Sequence, residues 1–392
     1  MSGLYLDYAA TTPLNEEVLE EMLPFLKESF GNPSSLYFLG QKAKKAIETA
    51  REKVASFLNA KKREIIFTSS GTESNNLAFF GIVGKNSSAH IITSQIEHPS
   101  ILQPCKELEK KGIKVTYLPV DTKGTIDIFA LKNAIDKNTL LVSIMHANNE
   151  IGTIQPLEKI SSIIQEKKKQ LKKEIYFHTD AVQSASLLPI DVEKLKIDLL
   201  TLSSHKIYGP KGAGALFVRK NTPFFPIILG GGQEMGLRSS TENVPAIVGF
   251  GKACFLAKKN RKKRREKLLS IQKILKEKLF EKVPHLVLNG HPVHRLPNNI
   301  HITVKYIEGE AMLYHLDKEK IFVSTGSACS SSTLLPSHVL LAIGIPKELA
   351  HSSLRITFGE KTTKQDIEHF LNTFPKIAKN LRNISPLYNE KE

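Results

Sequence analysis

The sequence predicts an α/β protein built on a mostly parallel sheet, and three observations predict it. From about Glu64 to Val218, short apolar runs alternate with amphipathic stretches. Several of these runs are apolar on both faces, which is how a strand reads when helices cover both sides of its sheet. The chain has 392 residues, 41% hydrophobic and 24% charged, which is ordinary globular usage with length for two or three domains and no need of cross-links.

The strand-like runs, in order, are Ile65–Phe67, Ile91–Thr93, Val115–Leu118, Leu140–Met145, Ile175–Phe177, Leu199–Leu202 and Ala215–Val218. The helical patterns Pro99–Lys110, Ile128–Ile135 and Leu157–Lys169 lie between them. Such a series argues for a layered α/β domain whose ligands bind beyond the carboxyl ends of the strands. After Val218 the character changes. Gly230-Gly231-Gly232 and Pro245 punctuate a loop, and a long helix is expected from about Ala246 to Leu279. Strands at Ile300–Val304 and Ile321–Val323, with helices at Ser337–Leu341 and Gln365–Leu381, place a second, α+β domain there.

Composition narrows the function classes. The longest apolar runs fall far short of the roughly 18 residues a membrane span needs, and Met1 to Leu6 has no basic n-region or apolar h-region. Three scattered cysteines (Cys105, Cys254, Cys329) exclude a disulfide scaffold and a four-cysteine metal site. A reducing, cytoplasmic setting is expected. The net charge of +16 raises the question of nucleic acid. However, the basic run Lys258–Lys267 has no interleaved aromatics and no nucleic-acid motif nearby, so it reads as a solvated helix face and no direct nucleic-acid partner is expected.

Three polar motifs follow successive strand runs. Ser69-Ser70-Gly71-Thr72-Glu73 opens a helix with small and hydroxyl residues whose amides suit a phosphate. Asp180 ends the run Tyr176-Phe177-His178-Thr179-Asp180, where a carboxylate can pair with a pyridinium nitrogen. Lys206, in Ser203-Ser204-His205-Lys206-Ile207-Tyr208-Gly209-Pro210, can condense with an aldehyde cofactor. Taken singly, each has a plainer reading: a helix N-cap, a capping aspartate, a surface lysine. A fourth segment, Ser324–Ser332, sets Cys329 among Gly, Ala and serines and reads as a loop carrying a thiol, whereas Cys105 and Cys254 sit in apolar helical surroundings as core residues.

In this order the motifs resemble the fold-type I pyridoxal-phosphate enzymes of the class V aminotransferase family. Leu6–Pro13, Phe30–Ser35, Glu97-His98, His146–Gly152, Arg238–Thr241, Ser324–Ser332 and His351–Arg355 are similar to cysteine desulfurases of the NifS/IscS type, over about Tyr5 to Leu387. The resemblance implies a large pyridoxal 5'-phosphate-binding α/β domain, residues 15–258, with a mostly parallel seven-stranded sheet. It also implies a smaller α+β domain from residues 1–14 and 259–392 that carries the cysteine loop, about 324–334. It implies that Lys206 holds the cofactor covalently and then moves the substrate proton, that Asp180 pairs with the pyridine nitrogen and Gln183 with the phenolic oxygen, and that His98 stacks on the ring. Gly71, Thr72, Ser203 and His205 would hold the phosphate, with Thr241 added across a homodimer interface. Asn149 and Arg355 would hold the carboxylate of L-cysteine, and Cys329 would take its sulfur as a persulfide. That sulfur would pass to an acceptor such as an iron–sulfur scaffold, or toward other sulfur cofactors and tRNA thiolation. No structural metal site is implied, only transient ligation of a cluster by Cys329. Ser204 stands where relatives usually have glycine, and Ser70-Gly71 replaces a more usual Gly-Ala; both changes are small enough to keep the phosphate cup. Two rival readings are a class V relative acting on selenocysteine or another amino acid, and a basic binding protein that keeps the fold without chemistry.

Overall fold

The strands form where the doubly apolar runs predict them, as a computed structural model that describes residues 3–84, 86–326 and 335–388 shows. In chain order the elements are β1 (Leu4–Tyr5), α1 (Glu16–Lys27), α2 (Phe38–Leu58), β2 (Ile65–Thr68), α3 (Gly71–Val83), β3 (His90–Ser94), α4 (Pro99–Lys110) and β4 (Lys114–Leu118). Next come α5 (Ile128–Ala134), β5 (Thr139–Ser143), α6 (Leu157–Leu171), β6 (Tyr176–Asp180), β7 (Leu199–Ser203), β8 (Gly214–Val218) and α7 (Val244–Lys282). The rest are β9 (Leu286–Leu288), β10 (Asn299–Val304), α8 (Gly309–Lys318), β11 (Ile321–Phe322), α9 (His338–Ala342), α10 (Lys347–Ala350), β12 (Ser353–Thr357) and α11 (Lys364–Asn383).

Seven strands make one sheet in the order β2-β8-β7-β6-β5-β3-β4. Crossovers, helical except for the turn-rich stretch between β6 and β7, make β7, β6, β5, β3 and β4 parallel, whereas β8 follows β7 through a loop and runs back antiparallel. Because β2 is also antiparallel to β8, it runs with the others. The carboxyl ends Thr68, Ser94, Ser143, Asp180 and Ser203 therefore share one edge of the sheet. The central strands are buried throughout, which is why they read as apolar on both faces.

Side chains alternate between two covering layers. Ile92, Leu200 and Leu202 pack toward α2, α6 and the first half of α7, while Ile91 and Leu199 pack toward α3 and α4. A separate core gathers β10, β12, α8, α11 and the second half of α7, and includes Leu4 and Leu6 from the chain's start. The 39-residue α7 is continuous across the expected domain boundary at 258: residues to Ala257 belong to the sheet's core, and Leu268 to Leu279 belong to the second. Among the described residues no helix is long and apolar enough to cross a membrane.

Some elements differ from expectation. The run Leu140–Met145 stops as a strand at Ser143, and Pro245 lies in the first turn of α7, where a missing N–H costs nothing. Helices α1, α2, α8 and α10 and strands β9 and β12 have no counterpart among the sequence patterns. β9 is an apolar run of only three partly exposed residues, too short to read as a strand, and β12 carries Arg355 in a wholly buried strand, which breaks its apolar signature. The basic run is not purely a solvated face. Arg264 is buried, donates to the Ser186 carbonyl (3.2 Å) and Glu360 (2.9 Å), and lies 4.8 Å over the Tyr208 ring, while Arg261 covers Phe57. Long cationic stems cover apolar surface when a carboxylate or ring meets the head.

Candidate active site

The phosphate-suited motif lies at the sheet edge because α3 starts directly after β2. Ser70 caps α3 by accepting from Glu73 N at 3.1 Å, and Glu73 returns the bond by accepting from Ser69 N at 2.9 Å. Arg238 clamps Glu73 with bonds of 2.6 and 3.2 Å. The first turn is pressed against its neighbours: a Cβ on Gly71 would lie 3.1 Å from Val182 Cγ2 and 3.3 Å from Ser203 Cβ. A Cβ on Gly214 would meet the Ser70 backbone at 2.6 Å, so that close approach needs glycine. The amides of Gly71 and exposed Thr72 thus open beside buried Ser203, a cup for an anion.

Asp180 is buried at the end of β6, and no helix follows for it to cap. Its Oδ1 accepts from Val182 N at 2.9 Å, and its Oδ2 accepts from Asn75 Nδ2 at 2.7 Å. Asn75 Nδ2 also donates to Ser100 Oγ at 2.8 Å, and Ser100 Oγ meets His98 Nδ1 at 2.8 Å. His98 caps α4, accepting from Ser100 N at 3.1 Å. Burial pushes the His98 pKa down; Asp180 pulls it back up, and Lys206 and His338 lower it further.

Lys206 leaves β7 on a single 3-10 turn, Ser204–Lys206, and donates to the carbonyls of Ala9 and Ala10 (2.8 Å for the latter). The segment 9–12 lies across it: Gln183 donates to the Ala9 carbonyl at 3.0 Å, and Thr12 N and Oγ1 donate to the His205 carbonyl at 3.0 and 2.9 Å. His205 Nδ1 meets Thr11 Oγ1 at 3.1 Å, and burial with Lys206 and Lys211 nearby brings its pKa down to about 4.

Across from the sheet edge, β12 delivers Arg355. It pairs with Asp7 at 2.9 Å and donates to the Asn149 carbonyl at 3.1 Å, while its Nε is buried with no hydrogen-bond partner among the described residues. Beside it, buried Glu150 accepts from Ser337 Oγ at 2.5 Å. Burial raises the Glu150 pKa to about 7, against the pull of Ser337 and Arg355. Gly326 sits against this group, because a Cβ there would lie 2.7 Å from both Glu150 Oε2 and His301 Nε2.

The structure therefore gathers Gly71, Thr72, Asp180, Gln183, Ser203, His205, Lys206 and His98 at one edge, where Asn149, in the loop after β5, is met by Arg355 from the second core. Thr241 is exposed ahead of α7 and, among the described residues, stands outside this hydrogen-bond network. Cys329 lies outside the described residues. Cys105 and Cys254 are buried core thiols whose pKa burial pushes far up, as expected of unreactive cysteines. Asn75, Ser100 and Glu150 were not singled out from the sequence; Glu150 follows Asn149 directly, so its motif was the available signal. A pyridoxal phosphate group asks for a lysine, a carboxylate and an anion cup on one face, and neighbouring strand ends provide them. The cradle at Gly71, which a Cβ would fill against Val182 and Ser203, fits the phosphate end of such a group.

The class-V aminotransferase family model matches residues 4–370. The cysteine desulfurase IscS of Dictyoglomus turgidum is 52% identical over 389 residues, 99% of this chain and 97% of that one. The IscS of Methanosarcina thermophila is 50% identical over 387 residues, 98% and 94% of the two chains. Among solved structures, a NifS-like protein superposes with a TM-score of 0.90 at 37% identity, covering 97% of this chain and all of that one. SspA in complex with cysteine does so with a TM-score of 0.81 at 39% identity, covering 92% and 100%. By sequence along its whole length and by fold, the chain belongs to the class-V aminotransferase family and, within it, to the cysteine desulfurases.

Proposed function

We propose that the protein is a pyridoxal-phosphate-dependent cysteine desulfurase that converts L-cysteine to L-alanine and takes the sulfur on Cys329. The observation that carries this reading is the meeting of Lys206, Asp180 and the start of α3 at one sheet edge, facing an arginine with an unpaired buried nitrogen. Bound there, the cofactor supplies an electron sink that acidifies the substrate Cα–H and weakens its Cβ–Sγ bond. Asp180 holds a proton at the ring nitrogen, Gln183 bonds the phenolic oxygen, and His98 covers the ring. Gly71, Thr72, Ser203 and His205 hold the phosphate, joined by Thr241 from a second copy of the chain in a homodimer.

Arg355 and Asn149 seat the substrate carboxylate, a task suited to a planar guanidinium. Lys206 Nζ takes the Cα proton and returns one to the substrate. The thiolate of Cys329 attacks the substrate sulfur, forming an S–S bond as the Cβ–S bond breaks. A proton reaches Cβ, and the products are alanine and a persulfide on Cys329. We assign residues 15–258 to the cofactor domain and 1–14 with 259–392 to the smaller one, because α7 joins two separate cores between Ala257 and Leu268. A cytoplasmic setting suits a persulfide carrier, and an iron–sulfur scaffold or another sulfur-relay protein is the acceptor class.

Purified protein loaded with cofactor and incubated with L-cysteine and a reductant is expected to release alanine and sulfide in equal amounts. Absence of both ends this reading. Cys329→Ser is expected to keep the cofactor's visible absorbance and lose sulfide release; retained release refutes the persulfide role.

A further inference from the structure

Asn75 lies one turn into α3, past the phosphate cup, and is 1% exposed. Its amide bridges two elements that the sheet order does not otherwise join at this point, donating to Asp180 Oδ2 (2.7 Å) and to Ser100 Oγ (2.8 Å). The direction of each bond follows from the chemistry of its atoms. A carboxylate oxygen accepts only, so the NH2 group must face Asp180 and the Asn75 orientation is settled. Ser100 Oγ accepts from Asn75 and so turns its own hydrogen to His98 Nδ1 at 2.8 Å, where Ser100 N also donates at 3.1 Å. Two donors on Nδ1 leave the neutral imidazole's proton on Nε2. The Asn75 Oδ1 is buried with no hydrogen-bond partner among the described residues, so the residue is not held there by a full complement of bonds.

We propose that Asn75 is a positioning residue: it fixes the facing of the Asp180 carboxylate and, through Ser100, the tautomer and plane of His98, so that both polar partners of the cofactor ring are set as one unit. This rests on the assignment of Asp180 and His98 made above. Replacing Asn75 leaves Asp180 Oδ2 without its side-chain donor. The other charged or titratable groups acting on this cluster are Lys206, His338 and Glu97, and the variants below leave them in place.

The test uses the cofactor-loaded protein with Asn75→Ala, Asn75→Asp and Ser100→Ala. Asn75→Asp sets two carboxylates side by side and is expected to move the pH midpoint of the visible cofactor band by about one unit or more. Asn75→Ala is expected to move it in the same sense by less, with kcat down about tenfold and KM for L-cysteine within about twofold. Ser100→Ala, which leaves α3 and the Asp180 contact intact, is expected to alter the pH profile of kcat without moving the band. It decides the second link even where an Asn75 variant fails to fold. An unchanged band midpoint and unchanged kcat in folded Asn75 variants, with only a lower melting temperature, make Asn75 a structural staple and overturn the proposal. Failure of the unaltered protein to form a cofactor band at all overturns the underlying assignment instead.

Discussion

The two walls of the cleft differ in how their charged groups are held. On the sheet-edge wall, Asp180 accepts at both oxygens, and His178 beneath it is paired at both nitrogens, with Ser143 (2.8 Å) and Thr201 (3.1 Å). On the arginine wall, Arg355 Nε is buried without a hydrogen-bond partner among the described residues. Buried donors are normally paired, so Arg355 Nε, beside the Asn149 carbonyl, is left for a ligand that accepts, such as a carboxylate. The first wall is stiff and orients a ring. The second keeps a donor for a substrate.

The largest effect that tests this contrast is on the first wall. Lys206→Ala is expected to cut sulfide release by about a thousandfold or more and to abolish the cofactor's lysine-linked absorbance. Activity within about tenfold of the parent removes Lys206 from the chemistry. On the second wall, Arg355→Gln is expected to raise KM for L-cysteine by about 10- to 100-fold, since a charge-assisted bond contributes roughly 1.5–3 kcal/mol. If kcat falls instead and KM stays, the arginine wall does not seat the substrate.

The buried acids between the walls predict a pH dependence of stability. Burial raises Glu97 to about 8 and Glu150 to about 7, above their unfolded value of 4.5, so the fold holds protons the unfolded chain has lost. Stability then falls as pH rises from about 4.5 to about 8. Burial has the opposite effect on the histidines: His178 and His301 are lowered from 6.5 to about 3, so stability is lost as pH falls below 6.5. Glu97→Gln keeps the oxygen that accepts from Met145 N (2.9 Å) and Ser94 Oγ (2.7 Å). It is expected to be more stable than the parent by on the order of 2 kcal/mol at pH 8.5 and equal to it near pH 4.5, read by urea midpoints. A constant difference at both pH values rules out an ionisation effect. The smallest effect expected is Glu360→Gln, which loosens the partly exposed pair with Arg264 at the junction of the two cores and costs about 1 kcal/mol or less.

What was readable in the sequence was local. Strands buried on both faces announce themselves as continuous apolar runs, and motifs placed just past such runs must lie at the carboxyl edge, so the sequence groups Asp180, Lys206 and the start of α3. The misses share one cause. Asn75 matters because α3 turns it onto Asp180, 105 residues along the chain, and nothing around it distinguishes it from an ordinary helix amide. Arg264 looked solvated because its helix reads as basic; Tyr208 and Glu360 bury it only once α7 lies across the second core.

The sequence by itself determined the α/β class, the order of the strands along the chain and the residue types at each strand end, because periodicity and turn chemistry act between near neighbours. Only the tertiary structure decided which side chains share a hydrogen bond and which donor on the arginine wall remains unused. Those depend on the sheet order and on how the second core closes over it, and pairing across such distances leaves no local trace in the chain.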